Sequence, residues 1–250
     1  MPIKIPTFDH EVFKRNFLKS VVCQIRVQPI FRIASEPLPA QFQEKIRKDY
    51  PVVQKEESVQ VALQGQAVQR TNLGNTWRFK NADGHGEVTL DSAFIAFEAK
   101  TYQSFTDFRS RFETVYDAYL STYEPSRPER IGLRYINMVR PMNIKALKDW
   151  ERWVKPELMG FLASSQVEEP IVHDFKEFRT VQNPGFMTVR HGLMSDQDKS
   201  LIYLIDVDRY IQAAKNQEET AQLLTKFNED CYNFYRWAIG EDALKWLRGA

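Results

Sequence analysis

Arginine offers this chain its most specific chemistry, because a planar guanidinium makes paired hydrogen bonds to a carboxylate or phosphate that lysine cannot reproduce. In residues 20–31 (SVVCQIRVQPIF), Val21, Cys23, Ile25 and Val27 alternate with Gln24, Arg26 and Gln28. Arg26 therefore stands between two amides on the polar side of a half-buried strand. The phase recurs in residues 130–140 (RIGLRYINMVR), where Arg134 is opposite Leu133 and Tyr135, with Arg130 and Arg140 in phase with it. Trp77, Arg78, Lys176 and Arg190 belong to neighbouring strand candidates. Gln24, Arg26, Gln28, Trp77, Arg78, Arg134 and Arg190 are thus the candidate binding residues, on an open sheet face fitted to an anionic or polar partner. An ordinary solvated face accounts for the same pattern.

Other chemistry is poorly provided for. His10, His85, His173 and His191 are not paired at i, i+3 or i+4, so no metal site is expected. His173 and Asp174 are adjacent, which on a strand sends them to opposite faces. The chain has 10 Gly and neither a P-loop nor a dinucleotide fingerprint. Asp83-Gly84-His85-Gly86 reads as a hairpin turn. There is no G-x-S-x-G, and Cys23 and Cys231 lie in periodic apolar segments, which makes them buried reduced thiols. The acidic pairs Glu56-Glu57 and Glu168-Glu169 fall at strand starts, where solvated turns are the default. No catalytic residue, metal or cofactor is expected.

With 250 residues, 43% of them hydrophobic, the chain can bury one large core or two small ones. Its 34 Lys+Arg nearly cancel its 33 Asp+Glu, for a net charge of +1. No long-range field therefore draws in polyanions, although folding could still gather a local patch. No stretch approaches the roughly 18 apolar residues that span a bilayer, and the start has no apolar leader core. A cytoplasmic protein without membrane contact is expected.

These residues must be positioned by elements that periodicity predicts. The strand at 20–31 is followed by a short helix opened by Pro37 and Pro39, with Phe42, Ile46 and Tyr50 at helical spacing and Pro51 ending it. Strands are expected at 58–69, 75–81 and 87–100, then a helix at 104–123 with Ser104 as its N-cap. After Glu124-Pro125-Ser126-Arg127-Pro128 the order begins again: a strand at 130–140, a helix at 145–162 kinked or split by Pro156, strands at 169–181, 186–193 and 200–207, and a helix at 218–239. Asn183-Pro184-Gly185 and Ser195-Asp196-Gln197-Asp198 supply turns between those strands. A shift of 115 carries Asp91 onto Asp206, Phe112 onto Phe227 and Tyr119 onto Phe234. The expected fold is α+β, two tandem β-α-β-β-β-α units over 1–125 and 126–250, forming antiparallel sheet with helices packed on one face.

The segment SVVCQIRVQP (20–29), the helix ending in Asp49-Tyr50-Pro51, and Ile131-Gly132-Leu133-Arg134-Tyr135-Ile136-Asn137 resemble a sporadically distributed bacterial and archaeal family of conserved hypothetical proteins of about this length. The resemblance covers the whole chain. It implies a bacterial cytosolic protein, and the scattered distribution implies a defence or toxin-antitoxin setting; it brings no catalytic residue. The expected function is a non-catalytic binding or adaptor protein that uses the helix-free sheet face or a sheet edge, with a protein as partner and homodimerisation compatible with it. A duplicated saddle gripping nucleic acid, and a helix-grip pocket lined by some of the 17 Phe, 10 Tyr and 5 Trp, are the alternatives.

Overall fold

The computed structural model of the chain describes residues 5–35, 38–64, 67–141, 144–163, 173–196, 200–212 and 219–250, and for 57–64 and 67–74 the backbone alone. The strands are β1 (Leu18–Arg26), β2 (Val52–Gln64), β3 (Ala67–Lys80), β4 (Gly86–Asp91), β5 (Phe94–Ala99), β6 (Arg130–Val139), β7 (His173–Val181), β8 (Phe186–Ser195) and β9 (Leu201–Gln212). They are hydrogen-bonded in the order β2-β3-β4-β5-β1-β6-β9-β8-β7. The α-helices among the described residues are α1 (Phe31–Ser35), α2 (Ala40–Ile46), α3 (Phe105–Tyr123), α4 (Pro156–Met159), α5 (Thr220–Ala238) and α6 (Glu241–Arg248). The fold is α+β and built on antiparallel sheet, and no helix among the described residues is long and apolar enough to cross a membrane.

Two compact units share the chain: one of Met1–Val21, Leu133–Tyr210 and Gln222–Ala250, the other of Val22–Gly132 and Ile211–Ala221. In the second of these, Cys23, Ile25, Phe79, Val88, Leu90 and Phe97 form a buried sheet face, on which α3 lays Phe108, Phe112, Val115 and Tyr119. Phe97 and Phe108 are 5.3 Å apart at their ring centres, and Phe42 of α2 meets Phe79 at 5.5 Å. As expected, Ser104 caps α3, its hydroxyl accepting from the Asp107 amide at 3.1 Å. That satisfies one of the free donors at the helix start.

In the other unit Val189, Leu193, Tyr203, Ile205 and Val207 face Cys231, Phe234, Ala238, Ala243 and Leu247 of α5 and α6, with Trp150 and Trp153 in the same cluster. The amino-terminal segment joins this core. The Met138 amide donates to the Phe17 carbonyl at 2.8 Å, and Phe17 stacks on Trp246 at 4.3 Å. Phe112, Tyr119, Phe227 and Phe234, the aromatic positions that repeat at a shift of 115, are all buried.

Several boundaries differ from those expected, each for a local reason. The strand read over 20–31 stops at Arg26, and Phe31–Ser35 turns into α1 beyond Pro29, which has no amide to offer a ladder. Residues 87–100 form two strands rather than one, so the first half carries one strand more than expected. The Asp91 carboxylate accepts from the Ala93 amide at 3.0 Å and from the Thr76 hydroxyl at 2.8 Å, and this side-chain turn reverses the chain. The strand expected at 58–69 is divided between β2, which starts right after Pro51, and β3, which also takes in residues 70–74, while residues 65 and 66 lie outside the described residues; the register shifts between Ser58 and Val59, opposite Asn72 and Gly74.

The helix expected over 145–162 is broken into 3-10 turns at Leu147–Arg152 and Gly160–Ala163 flanking α4. Pro156 supplies the first residue of α4, in the first turn where a missing amide breaks no helical hydrogen bond. The 218–239 helix stops before Gly240, and α6 follows it. Of the strand read over 169–181 and the turn over 195–198, residues 169–172, 197 and 198 lie outside the described residues, as do Glu168 and Glu169.

Candidate functional site

Most of the arginines on the polar sheet faces are neutralised by carboxylates of neighbouring strands. Arg134 of β6 forks onto Asp206 of β9 through Nε at 2.7 Å and Nη2 at 2.6 Å. Arg190 of β8, directly opposite Asp206 in the β8–β9 register, brings Nη1 to 3.7 Å of the same carboxylate and Nε to 2.6 Å of Glu177 on β7. In the other unit Arg78 of β3 pairs with the buried Glu87 of β4, and its Nε lies 2.8 Å from Glu56 of β2. Those two carboxylates hold the Arg78 guanidinium above its ordinary pKa, Glu87 contributing most. Lys80 adds a contact to Glu87 at 3.8 Å.

Both constellations follow one plan: glutamate on the edge strand, arginine on the next, and a buried acid on the third. They satisfy every charge they contain. Trp77 does not join Arg78. It alternates to the other side of β3, is buried, and has the Lys55 ammonium 5.8 Å from its ring, so it serves the core.

Arg26 behaves differently. It ends β1 with its side chain exposed, and Gln28 just beyond the strand is exposed too. The Glu129 amide donates to the Arg26 carbonyl at 2.8 Å, and the Gln28 amide donates to the Glu129 carboxylate. Those two bonds pin the segment 126–130 along the end of β1, with Pro128 buried beneath it. The result is a cleft of about 540 Å³ lined by Arg26, Gln28, Ser126, Arg127, Pro128, Glu129, Arg130 and Gln212.

Gln24, two residues earlier on β1, accepts from Nη1 of the cleft residue Arg130 at 3.4 Å. The Arg130 guanidinium lies flat over Gly132, where a Cβ would come within 2.4 Å of Nη1. Three arginines thus share the cleft with a single carboxylate, Glu129, which Gln28 already engages. Neither Arg26 nor Arg127 pairs with an acid among the described residues.

Of the seven candidate residues, the fold gathers Arg26 and Gln28 at this cleft, links Gln24 to its lining residue Arg130, ties Arg134 and Arg190 to Asp206, ties Arg78 to Glu87, and buries Trp77. Arg127 and Glu129 were missed, because Glu124-Pro125-Ser126-Arg127-Pro128 has the composition of a linker. Its two prolines were the available signal, since they stiffen the chain on either side of Arg127. Both cysteines are buried and free. The Asp83–Gly86 segment is a hairpin turn, with the His85 amide bonded to Asp83 at 2.8 Å and Gly84 at a φ of 72°. No protein-family model and no curated protein matches the chain.

Proposed function

We propose that this chain is a non-catalytic binding or adaptor protein that takes hold of an acidic segment of a partner protein through the Arg26–Arg127 cleft. One observation carries the reading. Arg78, Arg134 and Arg190 spend their guanidinium groups on carboxylates of their own unit, whereas Arg26 and Arg127 line a cleft whose one carboxylate, Glu129, is engaged by Gln28, and neither pairs with an acid among the described residues. An exposed, unpaired guanidinium pair is fitted to bidentate recognition of carboxylates, and arginine is enriched among residues that dominate binding energy. A polyanion such as nucleic acid calls for an extended basic surface, and here the net charge is +1 and the neighbouring faces are internally neutralised.

A small anionic ligand is the second reading, favoured by a cleft volume within the usual range of about 300–1,000 Å³. The bacterial, cytoplasmic setting and the defence or toxin-antitoxin context implied by the GLRYIN-type resemblance belong to the same proposal. So does descent from a duplicated unit. It is supported by α3 and α5, which are each 19 residues long and begin at the same shift of 115 that relates Asp91 to Asp206. The repeated glutamate, arginine and buried-acid plan supports it too.

Capture from a bacterial lysate by the wild-type chain and by R26E/R127E, with protein, nucleic acid and small molecules identified together, tests the reading. A protein held by the wild type and released by the double variant at unchanged melting temperature is the expected result. Equal capture by both chains overturns it, and specific loss of a nucleic acid or a small anion replaces it with the corresponding alternative.

A further inference from the structure

β7 closes one end of the strand order and, among the described residues, pairs only with β8. The Gln182 amide bonds to the Gly185 carbonyl at 2.9 Å where the β7–β8 hairpin turns, and the ladder runs from there without a register shift. In an antiparallel pair, bonded and non-bonded residues alternate. The even-numbered residues of β7 therefore direct their backbone groups at β8, and Phe175, Glu177, Arg179 and Val181 direct theirs at the open edge. An unpaired strand edge is a template for another strand. Those same four side chains share one face, and Phe175 and Val181 are 46% and 62% exposed.

The order of these residues is self-complementary. A two-fold axis through Phe178, perpendicular to the sheet, sets residues 175–181 of one copy against 181–175 of another. Phe175 then faces Val181 of the second copy, and Glu177 faces its Arg179, each pair formed twice. Moving the axis by one residue to Glu177 would oppose like charges, and moving it to Lys176 would do the same. Each charged member is already braced from within without being covered. Glu177 holds Arg190 at 2.6 Å and keeps half its side chain exposed, and the Arg179 guanidinium rests 4.2 Å above the Phe186 ring.

We propose that this chain forms a symmetric homodimer by antiparallel addition of β7 to β7 of a second copy, centred on Phe178. The two exposed apolar side chains cover each other, the opposite charges set the register, and the edge amides and carbonyls find partners. A closed two-fold contact consumes the β7 edge and blocks further growth through it. The proposal stands independently of the Arg26 cleft.

Sedimentation velocity over a concentration series tests it with the full chain. The expected pattern is a dimer for wild type, dimerisation weakened at least roughly tenfold by E177R and by R179E, where like charges meet across the axis, and recovery in E177R/R179E, where the pairing is restored with reversed sign. V181K, at an exposed position, should also give monomers. If E177R fails to fold on losing its contact with Arg190, R179E and V181K decide the matter. Amide exchange at Phe175, Glu177, Arg179 and Val181 should slow as concentration rises. A wild-type chain that is monomeric throughout, or a dimer unaffected by R179E and V181K, overturns the proposal.

Discussion

The Asp206 carboxylate is 2% exposed, while the Arg134 side chain that grips it through two hydrogen bonds is 41% exposed. The arginine is half in solvent, and the acid depends on it.

Arg134→Ala should therefore act on stability and not on recognition. Among the described residues it leaves the buried carboxylate with only Arg190 Nη1, at 3.7 Å. Losing one partner of a buried pair costs about 3–5 kcal/mol, and the exposure of Arg134 reduces this to about 2 kcal/mol. Denaturant titration should register that loss, and Arg134→Lys should recover only part of it, since an ammonium cannot fork onto both oxygens. Capture of a partner through the Arg26 cleft should be unchanged.

Arg26→Ala and Arg127→Ala should do the opposite. Both side chains are exposed and neither holds an acid among the described residues, so melting temperatures should stay within the range of neutral surface changes, about 0.5 kcal/mol. Each should weaken binding of the captured partner by about 1–3 kcal/mol, the usual worth of a charge-assisted hydrogen bond. Isothermal titration with the identified partner gives the number.

His191 should make the fold sensitive to acid. Its Nδ1 is 2.9 Å from the Tyr203 hydroxyl, which itself donates to the Leu158 carbonyl at 2.9 Å, so the imidazole donates through Nδ1. Burial, assisted by the Lys176 ammonium and opposed by Asp174, pushes its pKa down to about 4. The unfolded chain, with an ordinary value near 6.5, binds the proton first as pH falls. This residue's contribution is complete above about pH 6.5 and is lost progressively toward pH 4, by an amount on the order of 3 kcal/mol. Unfolding free energies measured from pH 7 to pH 4.5 should fall more steeply for wild type than for His191→Phe.

Gly192→Ala should loosen β7. Gly192 sits at a φ of 155°, opposite Phe175, and a Cβ there would come within 1.8 Å of the Asp174 carbonyl oxygen. The obstacle is backbone on the paired strand, so relief requires the strands to part. A loss of about 2–4 kcal/mol is expected, together with faster amide exchange along β7 than in β9.

Much of this architecture could be read from local pattern. Alternation marked β1 and β6, helical spacing marked α3 and α5 and the aromatics they bury, Ser104 announced a cap, and Pro156 announced a break. Where local pattern failed, a side chain from elsewhere in the chain or a strand partner intervened: Thr76 helps Asp91 split the 87–100 segment, and strand pairing carries Asn72 and Gly74 into β3. Strand phase also showed that Arg26 and Arg134 would emerge opposite apolar side chains, and it left the face of Arg78 and Arg190 open.

Which of those arginines remain free was decided only by tertiary structure. Asp206 is 72 residues from Arg134, and Glu129 is 101 residues from Gln28. An ion pair is worth something only at contact distance and is worth most where water is excluded, and both conditions are set by strand order and register. Periodicity within one strand reports the side on which a charge emerges. It contains no information about the strand laid beside it, and that neighbour decides whether a guanidinium braces the fold or is left for a partner.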